Sequence, residues 1–273
     1  MLAEVMDVLS CPHCSSDLDL GDAVVLCDRG HTFDVARQGY VSLLPGSAGK
    51  ITGDSAEMIA ARAEFLDGGH FDPIVHAVVD AVGNPTTVLE VGAGTGHYLA
   101  AVVEASGARG IGIDVSKAAA RRVARAHDRI GSVVADVWHG LPVRSGSLSA
   151  VTCVFSPRNA AEVHRVLEPG GTLVVVTPTQ RHQQELVGAL GLIGVDEDKA
   201  RRLGDSLAGR FEQCGRTTVE FEMSLGHSGV TSLVEMGPSA RHTTDSSRRE
   251  SIAQLPESVE VTASVVVGTY AAI

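Results

Sequence analysis

Aromatic side chains are scarce in this chain, which has one tryptophan, three tyrosines and six phenylalanines among 273 residues. Hydrophobic residues nevertheless make up 44%, so the core has to be aliphatic rather than built on stacked rings. Long apolar runs are missing too. No stretch approaches the roughly 18 consecutive apolar residues that span a bilayer, and no membrane partner is expected. The opening "MLAEVMDVLS" is acidic and lacks the basic start of a secretory leader, which points to a cytoplasmic protein. Positive charge is in deficit, with 22 Lys and Arg against 33 Asp and Glu and a net charge of −11. Binding a polyanion then requires a local cluster of cations. Cysteines are few and odd in number. Five cannot all pair, and in a reducing compartment thiols bind metal or pack rather than cross-link.

The sulfur that is present gathers near one end. "CPHCSSDLDLGDAVVLCDRGH" has the spacing Cys11-x2-Cys14-x12-Cys27-x3-His31. Three thiolates and an imidazole suit tetrahedral Zn2+, and a C-x2-C turn puts two sulfurs on one ion with little strain. Pro12 fits the first knuckle and Gly30 the tight turn of the second, while "AVVLC" suits a strand between them. His13 competes as a donor but sits inside the first knuckle, facing water. Four protein donors leave no open position, so the site is expected to be structural and to staple a module too small for a core of its own. Cys153 and Cys214 read as a strand residue and a helix end.

Residues 32–50 leave the ribbon and end in a Pro/Gly/Ser/Ala segment that reads as a linker. Asp54 or Ser55 caps a helix over Ala56 to Leu66, and a second helix follows Asp72-Pro73. From Thr87 onward, "TVLEVG", "GIGID", "SVVAD", "AVTCVF" and "GTLVVVTP" read as fully apolar strands separated by helical segments. Alternation of this kind indicates a parallel sheet covered on both faces, an α/β fold. The tail is expected to hold a helix near 196–213, a strand "TTVEFEMSL", a helical insert from about 229 and a last strand "VEVTASVVVGTY". The organisation expected is a zinc-binding ribbon over 1–45, a linker and helical segment over 46–85, and the α/β domain over 86–273.

"VLEVGAGTGHYL" places Gly92, Gly94 and Gly96 directly after the first of these strands, where glycines let backbone approach a ligand closely. Glu90 precedes the loop. Asp114 ends the second strand, positioned to grip ribose hydroxyls, and Asp136 ends the third, where it either meets an adenine amino group or caps a turn. With "ADVWHGLP" and "RVLEPGGTLVVVTP", residues 86–180 resemble the class I S-adenosylmethionine-dependent methyltransferases, whose Rossmann-like sheet has seven strands. Across the whole chain the Cys/Cys/Cys/His ribbon, "GHTFDVARQGYVSLLP", "GDSAEMIAARAEFLDGGHF", "VTPTQRHQQEL" and "VEMGPSARH" are similar to the RlmA/TlrB family of 23S rRNA (guanine-N1)-methyltransferases. "ADVW", "PRN" and "MGPS" lie nearest its tylosin-resistance branch.

The resemblance implies that Cys11, Cys14, Cys27 and His31 bind zinc. It assigns S-adenosylmethionine to Glu90, Gly92, Ala93, Gly94, Gly96, His97, Tyr98, Asp114, Asp136 and Val137. It also implies a homodimer and an RNA partner, a hairpin loop of 23S rRNA lining the peptide exit tunnel, with macrolide resistance as a consequence. Arg241 stands where relatives usually carry a tryptophan that would stack on a base. Arg37, Gln38 and Tyr40 after the ribbon are further candidates for RNA contact, with Tyr40 as a stacking ring. In "FSPRN", Arg158 and Asn159 are candidates to hold the guanine O6 or a phosphate, although Asn159 equally suits a helix cap. Asp54 and Glu57 are conceivable general bases. The segment 116–129 carries Lys117, Arg121, Arg122, Arg125 and Arg129, which reads either as an RNA contact or as an ordinary solvated face. Two other readings stay open, a small-molecule methyltransferase and a zinc-dependent RNA-binding protein without catalysis. The first gives no reason for the ribbon and the second no reason for an intact glycine loop.

Overall fold

The computed structural model describes residues 1–45, 53–192, 194–196, 198–237 and 245–273, and only the backbone of 245–248. Most of the Pro/Gly/Ser linker, and Arg241, lie outside the described residues. A 3-10 turn, Leu2–Val8, precedes three short strands, β1 (Leu18–Leu20), β2 (Val24–Cys27) and β3 (Thr32–Asp34), which pair antiparallel in that order. Next come β4 (Tyr40–Ser42), α1 (Ala56–Asp67) and α2 (Asp72–Val82). Ser55 starts α1 by accepting from the Met58 N–H at 3.2 Å, and Pro73 stands in the first turn of α2.

The β/α alternation follows as β5 (Thr87–Val91), α3 (His97–Ser106), β6 (Arg109–Asp114), α4 (Lys117–Val123), β7 (Ile130–Val134), β8 (Leu148–Val154), α5 (Ala160–Val166) and β9 (Leu167–Pro178). The tail supplies α6 (Gln184–Leu190), α7 (Lys199–Leu207), β10 (Phe211–Gly226), α8 (His227–Glu235), α9 (Asp245–Ala253) and β11 (Ser258–Ala272). The sheet order is β10-β11-β9-β8-β5-β6-β7-β4, with β11 antiparallel to both β9 and β10 and the remaining pairs parallel. Every residue of β5 and of β7 is buried, as a strand covered on both faces requires.

The seven strands anticipated for the α/β domain are all present, and β4 adds an eighth at the edge, with Tyr40 opposite Ser132 of β7. Three local expectations give way. The helix expected over 116–129 stops at Val123, after which the chain turns toward β7. The helix expected near 196–213 is only Lys199–Leu207; from Phe211 the chain is extended and pairs with β11 along its whole length. Cys214 is therefore an exposed strand residue and not a helix end. Polar side chains at this sheet edge hid the first residues of the strand, ahead of the expected "TTVEFEMSL".

Two apolar layers flank the sheet. One packs α2, α3 and α8 against Val88, Val174 and Val265. The other joins Leu89, Ile111 and Val133 to Leu2, Val5 and Leu9, and through them to Leu18, Val25 and Phe33 of the ribbon. The ribbon thus shares its core with the sheet. Val5 is fully buried over Gly131 of β7, and a Cβ at residue 131 would overlap Val5 Cγ2. Gly131→Ala should therefore destabilise the protein by about 1–3 kcal/mol through overpacking. Adding Val5→Ala should recover most of that loss, and urea denaturation of the two single variants and the double variant measures the coupling.

Candidate active site and metal centre

Cys11, Cys14, Cys27 and His31 converge so that one donor atom from each lies within 4.8 Å of the others. Nδ1 is the imidazole nitrogen that faces the sulfurs, at 3.5 Å from Cys11 Sγ and 3.6 Å from Cys14 Sγ. Backbone turns set the two knuckles. The Ser15 N–H donates to Cys11 O at 2.8 Å, the Gly30 N–H to Cys27 O at 2.8 Å, and the Arg29 N–H to Cys27 Sγ at 3.4 Å. Gly30 takes φ of +87°, a conformation glycine adopts at little cost. Three thiolates and one imidazole form a closed, sulfur-rich set that fits Zn2+ and leaves no place for a substrate. His13 is exposed and stacks on Phe33 with centroids 5.8 Å apart, outside the donor set.

A cavity of about 740 Å3 opens at the carboxyl ends of β5, β6 and β7. This is the place where open α/β sheets take ligands. Glu90, Gly92, Ala93, Gly94, Asp114 and Asp136 line it, as do Tyr98 and Val137. Gly96 and His97 do not: Gly96 packs its backbone against Val123 and Ala126, and His97 is half-buried against Tyr98. Gly92 and Gly94 are required on two counts. Both have positive φ, and a Cβ would come within 2.6 Å of Ser156 Cβ in one case and 2.9 Å of Arg62 Nη1 in the other.

Asp114 accepts one backbone N–H on each oxygen, from Gly94 at 2.9 Å and from Ser116 at 2.8 Å. Burial raises its pKa and these two bonds oppose the rise. Asp136 caps the turn Val137–His139, accepting from the Trp138 N–H at 3.0 Å, and pairs with His139 Nδ1 at 2.5 Å. Its capping role and its place in the cavity wall are both realised. The Tyr98 hydroxyl, by contrast, is buried with no partner, an orphaned group in the wall where a polar ligand would satisfy it.

Spacing alone did not reveal Arg62 of α1, which reaches across the glycine loop. It pairs with Asp54 at 2.8 Å and donates to Met236 O at 2.9 Å. Asp54, one of the two general-base candidates, is thus held by a cation; the other, Glu57, is exposed and outside the cavity lining. Asn159 is committed to its helix. Its Oδ1 accepts from the Glu162 N–H at 3.4 Å and its Nδ2 donates to Val137 O at 3.3 Å, so the capping reading holds. Arg158 keeps a buried Nε without a partner. Nearby, the cavity-lining Lys199 is held below its usual pKa by burial and then by the charges of Arg158 and Arg202, a cationic end that the sequence did not signal.

Tyr40 does not present a ring for stacking. It is 7% exposed and packs with Ala120, Ala124 and Val134, because β4 turns it under α4. Gln38 is half-buried in the turn before it. Arg37 is exposed, and so are Lys117, Arg121, Arg122, Arg125 and Arg129. Among the described residues, none of these six cations has an ion-pair partner.

Burial pushes the Glu90 carboxyl up to about 8; the Asp114 charge adds to the rise, while the Leu99 N–H and Arg62 oppose it. A folded pKa above the unfolded value means that the native state holds the proton more tightly. Stability from this source is present at low pH and is lost as pH rises from about 4.5 to about 8. Glu90→Gln should therefore flatten the fall in ligand-free Tm over that range, as read by thermal melts in a pH series.

Residues 9–49 match the family described as RlmA, N-terminal, and residues 88–171 match a methyltransferase domain. A Streptomyces fradiae protein named 23S rRNA (guanine(748)-N(1))-methyltransferase is 45% identical over 97% of each chain. A Micromonospora griseorubida protein, 44% identical over 99% of each chain, bears the provisional name 23S rRNA (guanine-N(1)-)-methyltransferase. Among solved structures, a Bacillus halodurans protein provisionally named a methyltransferase covers 72% of this chain and 97% of its own. Its TM-score is 0.50 at 13% identity, a likeness of fold alone. With a Cys3His knuckle, a glycine-lined crevice and near full-length identity of this order, the chain belongs to the RlmA/TlrB family of 23S rRNA (guanine-N1)-methyltransferases.

Proposed function

We propose that this chain transfers a methyl group from S-adenosylmethionine to N1 of a guanine in a hairpin loop of 23S rRNA lining the peptide exit tunnel. One observation carries the reading: a single cavity holds the strand-end acids at one end and Lys199, near Arg158, at the other. Such a space admits a nucleoside-bearing methyl donor and a splayed base together. When bound, S-adenosylmethionine supplies a methyl carbon already activated on a sulfonium.

The protein's own work is placement and charge. Asp114 faces the cavity with the lone pairs left by its two backbone bonds, which suits ribose hydroxyls. Tyr98 offers its unpartnered hydroxyl. Methylation at N1 would release the N1 proton to solvent. Lys199 in the cavity wall, with the Arg158 charge near it, would favour that loss by stabilising the negative charge that gathers on guanine O6 and N1. The ribbon, pinned by zinc, presents the RNA beside the cavity. A homodimer with two such ribbons, and macrolide resistance of the tylosin type, belong to the same proposal and rest on the resemblance alone.

The six unpaired cations from Arg37 to Arg129 supply the phosphate track that the net charge of −11 withholds elsewhere. Gly39 packs against Ala124, so α4 and the segment after the ribbon form one continuous surface.

Two measurements test the function. Purified protein should label rRNA that lacks the modification, and primer extension should then stop at one hairpin-loop guanine, because N1 methylation blocks pairing. Label confined to small molecules would leave the small-molecule methyltransferase standing instead. Separately, the double variant Arg121→Glu/Arg125→Glu should weaken binding of the rRNA hairpin and reduce its salt slope by about 2, with S-adenosylmethionine affinity unaltered. An unaltered salt slope would return α4 to the status of an ordinary solvated helix.

A further inference from the structure

Beside the cationic end of the cavity stand three rings that neither the zinc nor the strand-end acids account for. Phe155 follows β8, Phe71 precedes α2, and His182 lies between β9 and α6; all three line the cavity. Their centroids form a nearly equilateral triangle, 6.2 Å from Phe71 to Phe155, 5.9 Å from Phe71 to His182 and 5.8 Å from Phe155 to His182. Phe71 is only 2% exposed and forms the floor, whereas Phe155 is 40% exposed. Six phenylalanines serve the whole chain, so leaving one this open at a cavity wall needs a reason.

The backbone sharpens the question. Phe155 has φ of +52°, in the left-handed region that a bulky residue enters only at a cost. Strain of this kind persists where surrounding structure imposes it, and it clusters at ligand sites. The imposing contacts are visible. The Phe155 N–H donates to Val176 O at 3.2 Å, and the following residue, Ser156, is pressed against the Gly92 backbone. The turn cannot relax without losing the close approach of the glycine loop. Ser156 Oγ, on the same turn, is buried beside the Cys153 thiol.

His182 faces Phe155 at an interplanar angle of 25°. Its Nδ1 accepts the Ser264 N–H at 3.1 Å, which leaves the ring proton on Nε2. With its one acceptor nitrogen engaged the imidazole is a wall, not a base. Burial holds its pKa down at about 4, so the ring is neutral near pH 7 and stacks without charge.

We propose that Phe155 and His182, floored by Phe71, form the face on which the target guanine stacks. This rests on the methyltransferase reading above and names the part of that site which takes the acceptor base. A splayed base has lost its neighbours in the RNA, and an aromatic wall replaces that stacking.

The experiment uses full-length protein, S-adenosylmethionine and the unmodified rRNA hairpin. Phe155→Ala should lower kcat/KM for the hairpin roughly tenfold to a hundredfold, while the Kd for S-adenosylmethionine by calorimetry stays within about twofold of wild type. Phe155→Tyr should restore kcat/KM to near the wild-type value. Phe155→Gly should match the alanine variant in activity yet melt no lower than wild type, because it relieves the positive φ; this separates lost stacking from lost folding. Wild-type kcat/KM in Phe155→Ala overturns the stacking face, as does a loss of cofactor affinity equal to the loss in kcat/KM. A wild-type protein that binds S-adenosylmethionine but never labels the hairpin overturns the function reading, and the stacking face with it.

Discussion

One carboxylate organises the active-site end of this molecule. Asp114 takes the Gly94 N–H on one oxygen and the Ser116 N–H on the other, which ties the glycine loop to the start of α4. Ser116 extends the tie by donating its hydroxyl to Asp54 O at 2.7 Å, and the Arg62–Asp54 pair carries it on to Met236 beyond α8. Segments more than a hundred residues apart in sequence thus meet around one side chain. Burial works against the charged form of Asp114, and the two backbone donors work for it, which is how a buried carboxylate remains a usable acceptor. Without it, the loop would lose the anchor that holds Gly94 against Arg62.

A second dependence runs through the metal knuckle. A ribbon of this length has too little apolar surface to fold alone, and a bound zinc ion is the usual remedy. Here the ribbon also leans on the sheet, because the first ten residues lie across β6 and β7 and join its Leu18 and Val25 to Ile111 and Val133. The metal therefore fixes a module already docked through shared core. Strand β4 completes the join by adding its three residues to the sheet edge beside β7. Its Tyr40 has become core for that reason, while Arg37, three residues earlier, stays exposed.

What could be read in the chain followed the range of the forces involved. Cysteine spacing, Gly92 and Gly94 of the loop, the strand-end acids and the apolar strands are local patterns, and each lies where its pattern put it, whereas Gly96 and His97 fall outside the cavity wall. The parts that escaped depend on partners far away in sequence. Nothing in "GYVS" says that three residues will pair with a strand some ninety positions later. Arg62 lies on a helix where a lone cation reads as solvent-facing, and only the fold brings the glycine loop beneath it. The first part of the edge strand, from Phe211 to Arg216, was hidden by its polar residues, and its pairing with β11 bridges an insert holding two helices. Phe155 is an ordinary strand-end residue by its letter; neither its positive φ nor the close approach of the next residue, Ser156, to Gly92 is written in the local sequence.

The deficit of positive charge, awkward for a protein of this family, becomes intelligible once position is considered. At physiological salt, fields fade over roughly 8 Å, so an RNA senses the cations beneath it more than the sum over the molecule. Several acids are withdrawn from that surface in any case: Glu90 and Asp136 are buried and Asp114 nearly so. The remaining acidic surface repels polyanions that do not align with the basic strip. Net charge then acts as a filter. Strong non-specific adsorption would leave such an enzyme sequestered on the bulk of cellular RNA; under the proposed function, only a strand that follows the exposed cations and delivers a base to the cavity would gain enough to stay. Discrimination of this kind puts its demand on the pocket rather than on the surface, which is consistent with a strained aromatic turn being kept at the acceptor end.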